Sequence, residues 1–461
     1  MVPAFGERGK ARSRVGHRPS GIMRETSTEP PMSLRRRLLI LVPLALLVVA
    51  GGCKVRTINY FPPHPASVRV INLLPEAPAI DVQIDGSPAF SGVAFQSLTG
   101  YQSYDNKTTN VSVSLAGSTT PLISFSVPLA GEQPYTIVVF GTLSNTSATM
   151  LAEVANAPTN GNIQLAMFNA AINNASFDVY VTAPGVDISQ LNPNYTFVSY
   201  NGVSLNLAFA PGTYQVRITQ QGTKTVIYDS GGTALTPNIA LTMIAYSKGS
   251  GVLVNAVVLE SRGGSTQLDS VFARTKAVNA APVIGAVNQS MGTTFQVVAN
   301  LPYANAAPYS QVAQGPTQID FEASATPGAV IASVPATLAP GTDASVFVTG
   351  PPGAQQAFVL PDSNLPPFGG NVRLRFVNTA WDANPVNVAL NGTAVATNVA
   401  YPTASAYVQV AAAPVTITFT DAVTGAVVLE LTNVTLTSAQ TNTVYLLGPA
   451  AAAGGFVTQD N

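Results

Sequence analysis

Two polar residues recur four times along this chain of 461 residues, with the copies 97, 110 and 99 residues apart. Each copy places an Asn at the end of an apolar segment and a second Asn or Asp nine residues later, directly after an apolar residue. This period is the size of an immunoglobulin-like sandwich, which holds about 100 residues. The four pairs are Asn72 and Asp81, Asn169 and Asp178, Asn279 and Asn288, and Asn378 and Asn387.

The segments around these anchors have the pattern of short β-strands. Residues 111–115 and 214–218 place an apolar side chain at every second position, which is the period of a half-buried strand. Gly, Pro, Asn, Ser and Thr crowd between such segments, and no long stretch has the 3.6-residue period of a helix. The sequence therefore predicts an all-β fold of tandem immunoglobulin-like β-sandwich domains.

The repeat divides most of the chain into four expected domains, which we call units 1 to 4. Their expected boundaries are 67–155, 163–260, 268–360 and 371–461. The intervening segments are rich in Gly, Pro, Asn, Ser and Thr, so we expect them to be linkers. These segments are 156–162, 261–267 and 361–370.

Cys53 is the only cysteine, and it follows an apolar run at 38–52 that is preceded by three arginines at 35–37. A basic segment, an apolar segment and small residues before the cut describe a secretory signal. The run is interrupted by Pro43 and is shorter than the roughly 18 residues of a membrane-spanning helix. A signal that ends on Cys is the arrangement of a bacterial lipoprotein, although an ordinary signal cut near Ala50 remains an alternative.

This interpretation assigns a role to each part of the N-terminal region. We expect residues 1–31 to be a mis-assigned N-terminal extension, 32–52 the lipoprotein signal peptide and 53–66 a lipid-anchored tether. A diacylglyceryl group on Cys53 then holds the chain to the outer membrane or cell surface, outside the cytoplasm. From Cys53 onward there are 12 basic and 19 acidic residues, a net charge near −7, which excludes a basic nucleic-acid footprint.

Residues 68–86 and 131–141 carry a resemblance to a known family. The first segment has a strand, a short acidic loop with Pro and an Asp-Val strand that ends in Asp-Gly, and the second has a Gly followed by a Tyr-Thr strand that ends in Gly. Both resemble DUF4397, a bacterial envelope family of unknown function. The resemblance is clear for 67–153, fair for 163–260 and weaker in units 3 and 4. It implies immunoglobulin-like sandwiches on extracytoplasmic proteins, and no reaction.

Residues that would support catalysis or metal binding are sparse. His64 is the only histidine after the signal, and it lies in a Pro-rich tether, so a Ser-His-Asp triad is not expected. The chain has no cluster of Cys or His for zinc and no phosphate-binding loop motif. We therefore expect a protein that is not an enzyme and has no cofactor or metal.

Asp81 and Asp85 are the best polar pair. Four residues apart on a strand, they share one face at a separation of roughly 13 Å, which is too far for a retaining glycosidase pair or one calcium site. The favoured interpretation is structural: Asp81 bonds to a loop backbone, and Asp85-Gly86 forms a hairpin turn.

Aromatic residues in loops rich in Asn and Ser are the other candidate surface. They could stack on sugar rings, or they could close the edges of the sandwiches. We expect a non-enzymatic envelope lipoprotein for adhesion, scaffolding or ligand binding, whose partner is an envelope protein or a glycan. The alternative is an array of carbohydrate-binding modules. The candidate ligand-binding residues are Tyr101, Tyr104, Tyr195, Tyr200 and Trp381.

Overall fold

Strands make up nearly all the regular structure in the computed structural model, which confirms the prediction of an all-β chain of tandem β-sandwiches. Cys53, the expected signal peptide and most of the expected tether lie outside the described residues. Within the described part of the chain, no helix has the length and apolarity that crossing a membrane requires. The structure describes residues 64–77, 79–156, 158–292, 295–367 and 369–461.

Units 1 and 2 contain the first seventeen strands. Those of unit 1 are β1 (Ala66–Asn72), β2 (Ala79–Ile84), β3 (Ser87–Ala94), β4 (Gln102–Tyr104), β5 (Thr108–Leu115), β6 (Pro121–Pro128), β7 (Pro134–Thr142) and β8 (Asn145–Ala152). Those of unit 2 are β9 (Ile163–Ala170), β10 (Ser176–Thr182), β11 (Tyr195–Ser199), β12 (Leu207–Phe209), β13 (Gly212–Gln220), β14 (Val226–Leu235), β15 (Ile239–Tyr246), β16 (Asn255–Glu260) and β17 (Ser265–Leu268).

Units 3 and 4 contain the other eighteen strands and one short 3-10 helix, Ala450–Ala452. Those of unit 3 are β18 (Phe272–Ala280), β19 (Val287–Met291), β20 (Phe295–Leu301), β21 (Asn305–Ala306), β22 (Ser310–Ala313), β23 (Gly315–Ala323), β24 (Val330–Leu338), β25 (Asp343–Thr349) and β26 (Gln356–Asp362). Those of unit 4 are β27 (Asn371–Thr379), β28 (Val386–Leu390), β29 (Thr393–Val399), β30 (Thr403–Ala404), β31 (Val408–Ala411), β32 (Pro414–Asp421), β33 (Val427–Thr435), β34 (Thr441–Leu447) and β35 (Gly454–Gln459).

All four units share one arrangement of two sheets. We call the sheet with the repeat Asn the Asn sheet, and the sheet with the following Asn or Asp the Asx sheet. In unit 1 the strand orders are β4-β1-β7-β8 and β3-β2-β5-β6, and the other units repeat this order. In each Asn sheet the first strand of the unit pairs in parallel with a late strand, whereas the other strand pairs are antiparallel.

The Asn sheets are buried on both faces. One face packs on the Asx sheet of the same unit and forms that unit's core. The other face packs on a second Asn sheet, so that unit 1 faces unit 2 and unit 3 faces unit 4. In the first pair Phe140 packs on Phe168, and in the second Phe347 packs on Tyr445. For this reason β7 is buried at all nine positions and its sequence does not alternate.

Two of the expected linkers are partly strand. Segment 261–267 was expected to be a linker, but β17 begins within it and pairs with β16, and Leu268 packs against the core of unit 2. The Gly pair at 263–264 provides the turn of this hairpin. Segment 361–370 likewise begins with the end of β26, where Asp362 is buried. Strand pairing and burial therefore extend the units beyond the turn-rich composition from which linkers were inferred.

Candidate functional site

The four repeat Asn residues are fully buried and hold the end of the first strand in each unit. In unit 1 the Asn72 amide donates to the carbonyl of Val93 at 3.0 Å, and its Oδ1 accepts the N–H of Leu74 at 3.0 Å. In the other units, Asn169, Asn279 and Asn378 make the corresponding bonds. These amides satisfy backbone groups where the chain leaves the sheet, which is a structural role.

The second repeat residue binds a β-bulge in the neighbouring strand. Asp81 Oδ1 accepts the N–H of Gly92 at 2.8 Å, and Oδ2 accepts that of Gly117 at 2.9 Å. These two N–H groups, Gly117 before Gly92, lower the pKa of Asp81. Asp178, Asn288 and Asn387 bind the equivalent N–H of Phe197, Asn300 and Asn398, each of which has positive φ.

Asp85 and Gly86 form the two-residue turn between β2 and β3, with φ of 50° and 76°. Asp85 also accepts the N–H of Asn110 at 2.9 Å and pairs with Lys107 at 2.9 Å. Both members of the Asp81 and Asp85 pair thus bind backbone groups of their own sandwich. This arrangement matches the structural interpretation of the two carboxylates.

Three units carry a buried cation three residues before the repeat Asn, on the face of the Asn sheet that meets another unit. In unit 1 this is Arg69, which binds Glu153 at 3.0 Å with both side chains almost fully buried. Thr136 shares that carboxylate, and Tyr101 lies under the guanidinium with its ring centre 4.5 Å away. The Tyr101 hydroxyl donates to Glu153 at 2.7 Å, and burial followed by this bond raises the pKa of Tyr101. Unit 2 has Ala166 at the cation position.

Units 3 and 4 form two such ion pairs, and in each pair the cation belongs to one unit and the carboxylate to the other. Lys276 of unit 3 binds Asp460 of unit 4, and Arg375 of unit 4 binds Asp362 of unit 3 at 2.7 Å. Burial favours the neutral form of Asp362, but the charges of Arg375 and Lys276 outweigh it and lower its pKa. The rings of Tyr309 and Tyr407 cover these cations. The cluster is enclosed, so its chemistry is that of a salt-bridged interface.

A shared register was the signal for these buried ions that sequence reasoning missed. A basic residue precedes the repeat Asn by three positions in units 1, 3 and 4, within an otherwise apolar strand. Its acidic partner lies at the end of the last strand of an Asn sheet: Glu153 follows β8, Asp362 ends β26 and Asp460 follows β35. Glu76, in the loop between β1 and β2, binds Arg373 of unit 4 at 2.6 Å.

The five candidate ligand-binding residues are not brought together. Tyr101 belongs to the Arg69 cluster, whereas Tyr195 is buried and donates to the carbonyl of Leu165 at 2.6 Å. Tyr104 is half-buried and bonds to a neighbouring glutamine. Tyr200 packs on Phe140 of unit 1 at 5.5 Å, within the contact between units 1 and 2. Trp381 is half-buried beside Gly448.

An apolar cavity of about 250 Å³ opens in unit 2, between the end of β14, the start of β15 and the hairpin of β16 and β17. Leu235, Ile239 and Val258 contribute to its walls, and the exposed Glu260 also lines it. Among the described residues, no group of three or more His, Cys, Asp or Glu side chains is arranged to hold a metal ion. This cavity combines an apolar wall with a charged group, so it is the candidate binding site.

Two solved structures are similar to this chain at low sequence identity and low TM-score. A structure described as the Bacillus anthracis TIE protein is 8% identical, covers 83% of this chain and 68% of its own, and has a TM-score of 0.15. A product complex of the pneumococcal glycogen-degrading virulence factor SpuA is 8% identical, covers 79% of this chain and 37% of its own, and has a TM-score of 0.15. None of the curated proteins matches.

A family model, in contrast, matches most of the chain. The model is described as a domain of unknown function, DUF4397, and it matches residues 66–180, 273–389 and 380–461. Units 3 and 4 are thus recognised, although their resemblance was expected to be weaker than that of unit 2. Most of unit 2, which lacks the buried cation, falls outside the matched residues. Because the matches cover more than half of its length, the chain belongs to the DUF4397 family.

Proposed function

We propose that the chain is a non-enzymatic cell-envelope lipoprotein that presents two paired β-sandwich modules outside the cytoplasm for adhesion, scaffolding or ligand binding. The observation that carries the proposal is the location of the buried charged residues. The buried ions Arg69, Glu153, Lys276, Asp362 and Asp460 join unit to unit and do not line an open cleft. Such an arrangement suits a rigid scaffold that presents its surface to a partner better than it suits an enzyme.

The anchor in this proposal is Cys53, which follows the apolar run that resembles a lipoprotein signal. Growth with a labelled fatty acid, followed by immunoprecipitation, tests it directly. We expect label on the wild type and none on Cys53→Ala. Protease cleavage on intact cells would place the modules at the cell surface. An unlabelled wild type would contradict the anchor, and labelled but protected protein would favour a scaffold facing the periplasm.

The alternative function is an array of carbohydrate-binding modules that use loop aromatics. Tyr104 and Trp381 keep part of their surface exposed, which is the observation in its favour. A glycan array probed with the purified protein tests this function. A signal that Trp381→Ala removes would support it, and a signal no higher than background would exclude it.

A further inference from the structure

The Asn sheet of unit 2 continues by one strand beyond the position where the other three Asn sheets end. Strand β17 follows β16 at the end of its Asn sheet, whereas the described Asn sheets of units 1, 3 and 4 end at β8, β26 and β35. This strand forms a side wall of the apolar cavity, opposite the end of β14. Both β14 and β17 are the last strands of their sheets. The carbonyls of Ile227, Asp229 and Leu268 already accept bonds from Val254, Val271 and the Tyr228 hydroxyl, so the edges that a further strand could join are 232–235 and 265–267.

Among the four units, only unit 2 has a charged residue, Glu260, at this register position of the Asn sheet. Glu260 lies opposite Leu241 in the pairing of β15 with β16, so both side chains are on the core face of the sheet. The residues at the same register in units 1, 3 and 4 are Ala152, Pro361 and Gln459, none of which is charged. Glu260 is exposed and forms no ion pair within the described residues.

Unit 1 fixes the hairpin that carries Glu260. The buried Arg69 donates to the carbonyl of Glu260 at 2.9 Å and to that of Gly263. Arg262, in the same turn, donates from its side chain to the carbonyls of Glu132 at 2.8 Å and Ala155 at 3.0 Å. The wall of the cavity is therefore held before any ligand arrives, which lowers the entropic cost of binding.

Gly263 gives the Glu260 side chain its space. A Cβ at position 263 would lie 2.6 Å from Glu260 Cδ and 2.8 Å from Oε2. Any larger residue therefore displaces the carboxylate while its charge is kept. This provides a way to move the charge without removing it.

We propose that this groove binds a lysine side chain on an extended segment of a partner protein. A lysine has an aliphatic stem that suits the wall formed by Leu235 and Val258, and an ammonium group that complements Glu260. The partner segment adds as a strand to the free edge of β17, as in β-strand addition. The inference rests on the proposed binding role and not on the anchor at Cys53, so its failure is distinguishable from a failure of lipidation.

The test is a ligand-observed NMR titration of the purified mature protein with three capped peptides. Their sequence is Thr-Val-X-Val-Thr, where X is lysine, norleucine or glutamate, and free hexylamine is the fourth probe. We expect the lysine peptide to bind about fivefold more tightly than the norleucine peptide, since an exposed ion pair contributes modestly. Glu260→Gln removes this preference, and Gly263→Ala weakens it. Glu430→Gln, an exposed carboxylate of unit 4, leaves it unchanged.

Three results would overturn the proposal. The first is equal affinity for the lysine and norleucine peptides, and the second is a lysine preference that survives Glu260→Gln. The third is hexylamine binding as tightly as the lysine peptide, because a partner strand would then contribute nothing. The thermal midpoints of both unit 2 variants should equal that of the wild type, which separates lost binding from lost folding.

Discussion

Lys276 of unit 3 forms its ion pair with Asp460 of unit 4, although Asp362 of its own unit belongs to the same cluster. Arg375 of unit 4 forms the reciprocal ion pair with Asp362 of unit 3. Each unit thus offers a cation and a carboxylate from equivalent positions of its Asn sheet, which is the pattern of an isologous contact between two subunits. Here the two partners are successive parts of one chain, so the contact forms without a second molecule.

Removal of one member of this exchange should be strongly destabilising. Lys276→Met leaves Asp460 buried without its ion-pair partner, and breaking a buried pair in this way costs about 3–5 kcal/mol. The free energy of unfolding from a urea titration at neutral pH measures the loss. Lys107→Met is the matched control, because Lys107 is 56% exposed in its pair with Asp85 and an exposed pair contributes about 0–1 kcal/mol.

The companion double variant separates pairing from packing. Lys276→Met combined with Asp460→Leu removes both charges, and we expect it to regain much of the lost stability because apolar replacements of a whole buried pair are often close to neutral. A single variant as mild as Lys107→Met would contradict the view that this pair joins units 3 and 4.

Gln289 offers a stabilising substitution in unit 3. Its side chain is fully buried, and neither its amide nitrogen nor its oxygen has a partner within the described residues. The equivalent residues after the Asx position are Val82, Val179 and Val388, all of them buried. Gln289→Val should raise the free energy of unfolding by about 1–3 kcal/mol, the usual desolvation cost of an unsatisfied buried group.

Differential scanning calorimetry would measure this gain as a higher thermal midpoint. Gln311→Val, on an exposed position of β22, is the control, and its effect should stay within about 0.5 kcal/mol. A lower midpoint for Gln289→Val than for the wild type would indicate that the amide has a partner in solution.

Loss of the repeat Asn side chain should lower the free energy of unfolding more than loss of an exposed Asn side chain in the same unit. Asn378→Ala removes the bonds to the Val399 carbonyl at 3.1 Å and to the Ala380 N–H at 3.0 Å, and leaves both backbone groups without that partner. We expect a loss of about 2–4 kcal/mol in a urea titration. Asn384→Ala, which removes an exposed bond to Asp421, should change stability by less than about 0.5 kcal/mol. Equal effects would contradict the structural role of the repeat Asn.

Local patterns predicted the strands and turns well, because both depend on neighbouring residues. The turn at Asp85-Gly86 follows from two residues that tolerate positive φ. The pairing of units could not be predicted from local patterns, because it depends on which second sheet covers a strand such as β7. Arg69 and Glu153 are 84 residues apart, and Lys276 and Asp460 are 184 apart and in different units. No spacing rule identifies such partners until the register of both strands is known.

The pH dependence of the free energy of unfolding should reflect the titration of the Asp81 carboxylate. The N–H groups of Gly117 and Gly92 lower its pKa in the folded chain, so it contributes stability above its ordinary pKa of about 3.9 and loses that contribution as pH falls through the lower folded value. Asp81→Asn should therefore flatten the acid side of the stability profile below about pH 4. Asn288 and Asn387 already hold the equivalent bulges, so the fold should tolerate the change. Urea titrations at successive pH values measure the slope, with Asp105→Asn, an exposed loop carboxylate, as the control. An unchanged acid slope in Asp81→Asn would show that the two N–H bonds do not favour the charged form.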